Sequence, residues 1–152
     1  MQRFAPALAS IALAAWVGGL WAIGYLAAPV LFYSQPDRML AGLLAGEMFT
    51  RIAWLGIACG GFLLLFLLKR DGAQATQGTA FRLVAAMLLL TLVSHFGIQP
   101  VMNGIKAQVA PLDVMHSGMA SRFGMLHGIS SLMYLIESLL GAWLAVKWRT
   151  GR

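Results

Sequence analysis

Four long apolar segments, joined by short polar connections, constrain this chain more than any other feature. The segments run from Phe4 to Phe32, Ala41 to Leu68, Ala80 to Gly104 and Phe123 to Trp148. A helix of about 20 apolar residues crosses a bilayer, so each segment is long enough to do so. The pattern therefore predicts an all-α, polytopic membrane protein in which residues 1–152 form a single bundle of four transmembrane helices.

The composition also indicates a membrane protein rather than a soluble one. Only 11% of the residues are charged, 60% are hydrophobic and the mean hydropathy is +0.79. Soluble domains contain about 25% charged residues. The net charge of +6 comes from basic residues near the segment ends, without a basic run with interleaved aromatic side chains. We therefore expect the lipid bilayer as a partner and no binding to nucleic acid.

The basic residues also predict an orientation. The first apolar run has no charge from Phe4 to Tyr33, far beyond the roughly 7 to 15 residues of a signal core, so it predicts an uncleaved helix. Seven Lys and Arg residues lie at the amino end, in the second connection or in the carboxyl tail, and four lie on the other side, namely Arg38, Arg51, Lys106 and Arg122. The positive-inside rule then places both termini in the cytoplasm, and we expect the inner (plasma) membrane of the cell.

Small residues predict close packing between helices. Gly42 and Gly46 are four residues apart, as are Gly56 and Gly60, and such pairs let helix backbones approach closely. A homo-oligomer through such faces is compatible with the pattern. The single cysteine, Cys59, lies in an apolar run and is interpreted as a packing residue.

The fourth segment carries a polar stripe on an otherwise apolar helix. Its polar members recur every three to four residues, which places them on one helical face. Ionisable groups inside a bilayer cost roughly 2.5 kcal/mol or more at the helix centre, so they normally face other helices or a water-filled cavity. The stripe is therefore either a seam of the bundle or a site. The polar residues between Arg122 and Gly141 are Arg122, His127, Ser130, Ser131, Tyr134, Glu137 and Ser138.

The third segment has a second polar stripe, confined to the half after His95. If the chain reverses near Asp113, this stripe and that of the fourth helix reach similar depths. Glu47 and Arg51 in the second helix are four residues apart, a spacing that suits an ion pair. Together these features predict a polar pocket that opens outward between the second, third and fourth helices. Its predicted lining is Glu47, Arg51, His95, Gln99, Asn103, Arg122, His127, Tyr134 and Glu137.

Metal binding is the first chemistry that these residues suggest. Met115, His116, Met119 and His127 combine thioether and imidazole groups, which suit Cu(I). The spacing lacks the tight repeat of a zinc finger. Methionine is also an ordinary filler of apolar cores, so plain packing stays open as the alternative.

Haem and proton transfer are two further possibilities. His95 or His127 could each supply an axial ligand to a haem iron. Each could equally be a hydrogen-bonded residue between helices. A proton relay through His95, Tyr134 and Glu137 is the third chemistry. A hydrolase triad, a phosphate-binding loop and a pair of catalytic carboxylates are all missing from the sequence, so we favour a protein that is not an enzyme.

Several motifs resemble a known family. They are Trp16 to Leu20, Tyr25 to Phe32, Gly46 to Phe49, and Phe123 to Ser130 with its His-Gly-x-Ser pattern. The combination resembles the transmembrane protein 205-like family, a domain of unknown function numbered 4149. The first helix is more distantly similar to copper-resistance protein D and to the HemJ-type oxidases, although HemJ proteins have a histidine in that helix and this chain has none before His95.

The resemblance implies a four-helix membrane protein with a connection to metal handling. The leading hypothesis from the sequence is a small membrane protein that binds, and moves, a metal cation or a similar small solute through the pocket. A haem-binding redox protein related to HemJ is the alternative. A third possibility is a membrane subunit whose polar stripes only hold helices together.

Overall fold

The computed structural model describes residues 4–109 and 114–150, and of residues 116, 149 and 150 it describes the backbone only. Four long helices make up most of this part of the chain: α1 (Phe4–Ser34), α2 (Arg38–Asp71), α3 (Thr79–Val109) and α4 (Ala120–Thr150). The short 3-10 segments Gly72–Gln77 and Val114–His116 lie in the connections. The described residues contain no strand, so the predicted all-α class is confirmed.

Local chemistry fixes both ends of α2. The chain turns after α1, and the Asp37 carboxylate accepts hydrogen bonds from the backbone N–H groups of Met39 and Leu40, at 2.9 and 3.1 Å. This N-cap satisfies two donors that have no partner inside the helix. At the other end Gly72 has φ = 60°, a conformation that residues with a Cβ rarely adopt.

Replacing Asp37 by alanine is expected to lower the free energy of unfolding by about 1 kcal/mol, because the cap would be lost. Asp37→Asn should retain most of the stability, since its side-chain oxygen can accept the same hydrogen bonds. Thermal unfolding of the two variants in detergent compares them. Equal losses in both variants would mean that the carboxylate acts through its charge instead of as a cap.

The four helices run alternately up and down. Trp148 near the end of α4 donates a hydrogen bond to Ser10 near the start of α1 at 3.2 Å, so these helices are antiparallel. Lys106 Nζ lies 3.4 Å from the carbonyl oxygen of Gly42, which pairs the end of α3 with the start of α2. We call the end of the bundle that holds the start of α1 the terminal end, and the other the opposite end.

A large aromatic side chain lies at the centre of the packing. Trp16 of α1 is completely buried and fits against α2 where Gly56 and Gly60 leave room. A Cβ at Gly56 would lie 2.5 Å from Nε1 of Trp16, and one at Gly60 would lie 2.9 Å from its ring. Leu63, Met87 and Leu144, also fully buried, complete the core toward the terminal end.

The outside of the bundle is apolar. Large side chains such as Leu8, Leu65 and Leu139 are more than half exposed, and all four helices are long and apolar enough to cross a membrane. A soluble monomer rarely exposes so continuous an apolar surface. The fold is therefore that of a membrane protein with lipid around it.

Two helices contain a π-helical segment, Ala22–Ala27 in α1 and Val93–Ile98 in α3. Each segment ends two residues before a proline, Pro29 or Pro100. Proline lacks an N–H group, and its ring presses on the carbonyl four residues earlier, so the regular hydrogen-bond ladder cannot continue there. Such local changes of winding bend helices and occur often at functional sites.

Candidate functional site

A carboxyl group is buried between the helices. Glu137 of α4 is 4% exposed and lies within the apolar core. Its Oε1 atom is 2.7 Å from the hydroxyl oxygen of Thr91 on α3, which is also buried. Thr91 is the one hydroxyl in the apolar run before Val93, and its position across from Glu137 gives the carboxyl a polar partner on the neighbouring helix. We refer to Glu137, Thr91 and Trp16 together as the Glu137 site.

The Thr91 hydroxyl has two possible acceptors. Besides Glu137 it lies 3.1 Å from the carbonyl oxygen of Met87, one turn earlier in α3. A hydroxyl has a single hydrogen to donate but can also accept. It can therefore donate to an ionised Glu137, or accept a hydrogen bond from a protonated Glu137 while donating to Met87.

The third side of the Glu137 site comes from α1. The indole of Trp16 faces the Glu137 carboxyl group, although its Nε1 has no hydrogen-bond partner among the described residues. Next to Glu137 in the chain, the hydroxyl of Ser138 is buried and likewise has no partner in the described part. The site thus contains an acid, a hydroxyl and buried donors in an apolar surrounding, where such groups interact strongly.

Tyr134, one turn from Glu137 toward the opposite end, inserts into the backbone ladder of α1. Its hydroxyl donates to the carbonyl oxygen of Leu20 at 2.6 Å and also interacts with the backbone of Gly24. An α-helix would join this carbonyl directly to the Gly24 N–H. Insertion of a side chain at this point accounts, together with Pro29, for the π-helical segment of α1. A Cβ at Gly24 would overlap the Tyr134 ring.

His95 lies in the π-helical segment of α3, between aromatic rings. Its ring centroid is 5.3 Å from that of Trp54 on α2 and 4.7 Å from that of Phe96. The Nδ1 atom is buried and has no hydrogen-bond partner among the described residues. His95 therefore faces α2, and no described contact joins it to Glu137 or Tyr134.

The other predicted pocket residues lie nearer the opposite end. Glu47 and Arg51 form the expected i, i+4 ion pair, with 3.7 Å between the charged atoms, but their side chains are 69% and 82% exposed. Arg122, His127 and Asn103 are also exposed, and Gln99 is partly buried. His127 stacks on Phe123 of its own helix. The structure thus brings Tyr134 close to Glu137 but leaves these residues at the bundle surface.

The predicted copper ligands lie in and after the connection between α3 and α4. Met115 is exposed and Met119 partly buried, while the side chain of His116 lies outside the described residues. Among the side chains that the structure describes, which do not include that of His116, no three of His, Cys, Asp or Glu come together as a metal-binding group.

A groove of about 640 Å³ lies near the terminal end, between α1 and α4. It shares no residue with the predicted pocket. It also shares no residue with the Glu137 site, although Val17 in its wall is next to Trp16 in the chain. The groove is lined by Ser10, Leu13, Ala14, Val17, Gly18, Ala145 and Trp148.

Comparison with known families places this chain in one of them. The profile of a domain of unknown function, DUF4149, matches residues 11–111, which is 101 of the 152 residues. The chain belongs to the DUF4149 family. No curated protein and no solved structure matches it. The part that matches DUF4149 includes Trp16, Thr91 and His95, whereas Tyr134 and Glu137 follow it in the chain.

The sequence pattern of this DUF4149 protein does not indicate Thr91 and Trp16 as neighbours of Glu137. Thr91 stands alone in an apolar run, so no polar periodicity marks it. For Trp16 a signal was present: glycines at positions 56 and 60 leave space on one face of the second helix, and only a large side chain fills such a space. Which helix supplies that side chain depends on the register between α1 and α2, which the sequence does not state.

Proposed function

We propose that this DUF4149 protein binds a small cation in the membrane and moves it across, with Glu137 as the binding group. The observation that carries the proposal is the burial of Glu137 between α1, α3 and α4 with Thr91 as its polar partner. An ionisable side chain at such a depth is costly, and it commonly marks an ion pathway. Helix packing alone would be served by an apolar residue of similar volume.

The surroundings of the site support a carrier rather than an open channel. Toward the terminal end, Met87 and Leu144 are fully buried and separate Glu137 from that surface. Toward the opposite end, Tyr134 packs edge-on against Phe49, with ring centroids 5.3 Å apart. A cation at Glu137 is enclosed on both sides, so its entry and exit require helix movement. Transporters achieve this by moving helices around a central site.

The π-helical segments supply a place for such movement. Thr91 of α3 is hydrogen-bonded to Glu137, and the Trp16 indole of α1 faces it. In both helices the π-helical segment lies on the same side of these residues, toward the opposite end. The parts of α1 and α3 that lie beyond the π-helical segments, toward the opposite end, can therefore change their angle while Trp16 and Thr91 stay beside Glu137. The sequence predicts that both termini lie in the cytoplasm and that the protein lies in the plasma membrane. In that orientation the opposite end of the bundle faces outward.

The proposal is tested by cation flux in proteoliposomes. Purified protein is reconstituted, and the movement of H⁺, Na⁺, K⁺ and Cu⁺ down imposed gradients is followed with ion-sensitive dyes. We expect at least one of these cations to move faster than in protein-free vesicles. Glu137→Gln, which keeps the shape but removes the charge, should reduce that flux to the protein-free rate.

The matched control is Glu47→Gln, since Glu47 is the exposed carboxylate of the same bundle. This variant should retain the wild-type flux. Equal flux in the wild type and Glu137→Gln, or no flux of any of the four cations, would rule the proposal out.

His95 favours a second candidate, the binding of a metal or haem. Its unpartnered Nδ1 atom among Trp54 and Phe96 is an available ligand. Relationships to the transmembrane protein 205-like family, and more distantly to copper-resistance protein D and HemJ, would agree with this chemistry. Elemental mass spectrometry of the purified protein tests it: stoichiometric iron indicates haem, copper or zinc a metal site, and equal metal content in His95→Ala excludes His95 as the ligand.

Association between copies stays a prediction. Gly42 and Gly46 of α2 have open space beside them, which supports a close contact with another helix there. Gly56 and Gly60, in contrast, accommodate Trp16 inside the bundle. Cross-linking in the membrane measures the oligomeric state.

A further inference from the structure

The polar groups around Glu137 bear on which cation the proposed function concerns. On α3 the Thr91 hydroxyl touches the carboxyl group, and on α1 the Trp16 indole faces it. On its own helix, Tyr134 is the titratable neighbour. On α2, the charged residues Glu47 and Arg51 pair with each other on an exposed face.

These groups form a poor cage for a metal ion. Hard cations such as Ca²⁺ and Mg²⁺ take about six or more oxygen ligands. The Glu137 site offers one carboxyl group and one hydroxyl, and an indole N–H is a donor that cannot coordinate a cation. The described residues also contain no cluster of three or more His, Cys, Asp or Glu side chains.

A proton, in contrast, is accommodated by the same atoms without any new ligand. When Glu137 is ionised, the Thr91 hydroxyl donates to Oε1 across 2.7 Å. When a proton binds to the carboxylate, the new O–H group donates to Thr91, whose hydrogen turns toward the Met87 carbonyl at 3.1 Å. In both states the hydroxyl hydrogens of Thr91 and of the protonated Glu137 have an acceptor, so neither state leaves either of these two groups without its hydrogen bond.

We propose that the cation taken up at the Glu137 site is a proton, and that the Thr91 hydroxyl reverses its hydrogen bond each time Glu137 gains or loses it. This inference rests on the proposed function and names its cation. Protonation forms one O–H bond on a carboxylate oxygen, and deprotonation breaks it. Thr91 holds the carboxyl group in place and exchanges no proton in the step.

Infrared difference spectroscopy of the full chain in lipid bilayers tests the proposal. Spectra recorded at acidic and alkaline pH are subtracted, and a protonated carboxyl group gives a C=O stretching band distinct from carboxylate bands. We expect such a band in the wild type and in Glu47→Gln, and its loss in Glu137→Gln. Thr91→Val should shift the band, because the carboxyl group loses its partner, whereas Thr91→Ser should leave it in place.

Two further measurements keep the outcomes separate. Each variant is first shown to elute as a single species in size-exclusion chromatography, so that loss of the band cannot result from unfolding. Na⁺ or K⁺ is then added at constant pH and should leave the band unchanged. If the cation flux depends on Glu137 but adding Na⁺ or K⁺ removes the band, the proposed function stands and the identification of the cation as a proton is wrong. If no band depends on Glu137 at any pH tested, the proton is likewise excluded, whatever the flux shows.

Discussion

Gly56→Ala is expected to destabilise the protein, whereas Gly61→Ala, five residues along the same helix, is expected to stabilise it or leave it unchanged. The reason is the position of Trp16. A Cβ at position 56 would lie 2.5 Å from Nε1 of Trp16 and within 3.2 Å of two further atoms of that ring. Trp16 is completely buried and cannot move aside without disturbing the core. Overpacking of this kind costs about 1–3 kcal/mol.

Gly61 provides the matched control because a Cβ there would meet nothing within 4 Å. Alanine favours the helix over glycine by up to about 1 kcal/mol, and at an open position nothing opposes this gain. The two substitutions add the same methyl group to the same helix and should have effects of opposite sign. The measurement is the temperature at which the monodisperse protein is lost on heating in detergent.

A higher unfolding temperature in Gly56→Ala would contradict the packing of Trp16 against α2. A loss in both variants would point instead to a general sensitivity of α2 to added methyl groups. Because the Trp16 indole also faces Glu137, Gly56→Ala should alter the Glu137 site as well. Gly61→Ala should not.

The helices themselves could be predicted from the sequence because lipid imposes a simple rule. A run of about 20 apolar residues with few charges is long enough to cross the bilayer, and a helix satisfies its backbone hydrogen bonds there. Leu65, Leu89 and Leu139, all more than half exposed, illustrate the consequence: apolar residues lie outside as well as inside. Hydrophobicity therefore gives the class of fold, but it does not tell which face of each helix is buried.

The site was only partly predictable for the same reason. Polar residues at three-to-four spacing suggested one stripe on the fourth helix, yet Glu137 is buried and His127 is exposed. Ten residues separate them, and at about 100° per residue this leaves them roughly 80° apart around the helix. Tyr134 and Glu137 are only three residues apart and both point inward. A row of residues that are three or four positions apart can thus begin at the surface of the bundle and end in its interior.

The π-helical segments could not be predicted from sequence patterns. Pro29 and Pro100 indicate disturbed helices, but proline alone does not distinguish a kink from a change of winding. In α1 the winding also depends on Tyr134, a residue more than 100 positions later that supplies a hydroxyl to the Leu20 carbonyl. Only the assembled bundle brings these groups together.

This contact between α1 and α4 leads to the second large effect. Gly24→Ala is expected to lower the free energy of unfolding by about 1–3 kcal/mol, because the added methyl group would overlap the Tyr134 ring. The ring would have to withdraw, and the Leu20 carbonyl would lose its hydrogen bond. A net hydrogen bond contributes about 1 kcal/mol. Gly18→Ala, in the same helix with nothing within 4 Å, should show no such loss.

A double-mutant cycle separates this contact from other effects of the substitution. In a Tyr134→Ala background the ring is absent, so Gly24→Ala should become neutral or stabilising by up to about 1 kcal/mol, the helix propensity of alanine over glycine. Unfolding can be followed through Cys59, which is the only cysteine of the chain and is buried. A thiol-reactive dye labels it when the bundle opens. Equal effects of Gly24→Ala in both backgrounds would show that Tyr134 does not occupy the ladder of α1. A strong coupling would instead tie the winding of α1 to a residue one turn from Glu137, as helix movement around the Glu137 site requires.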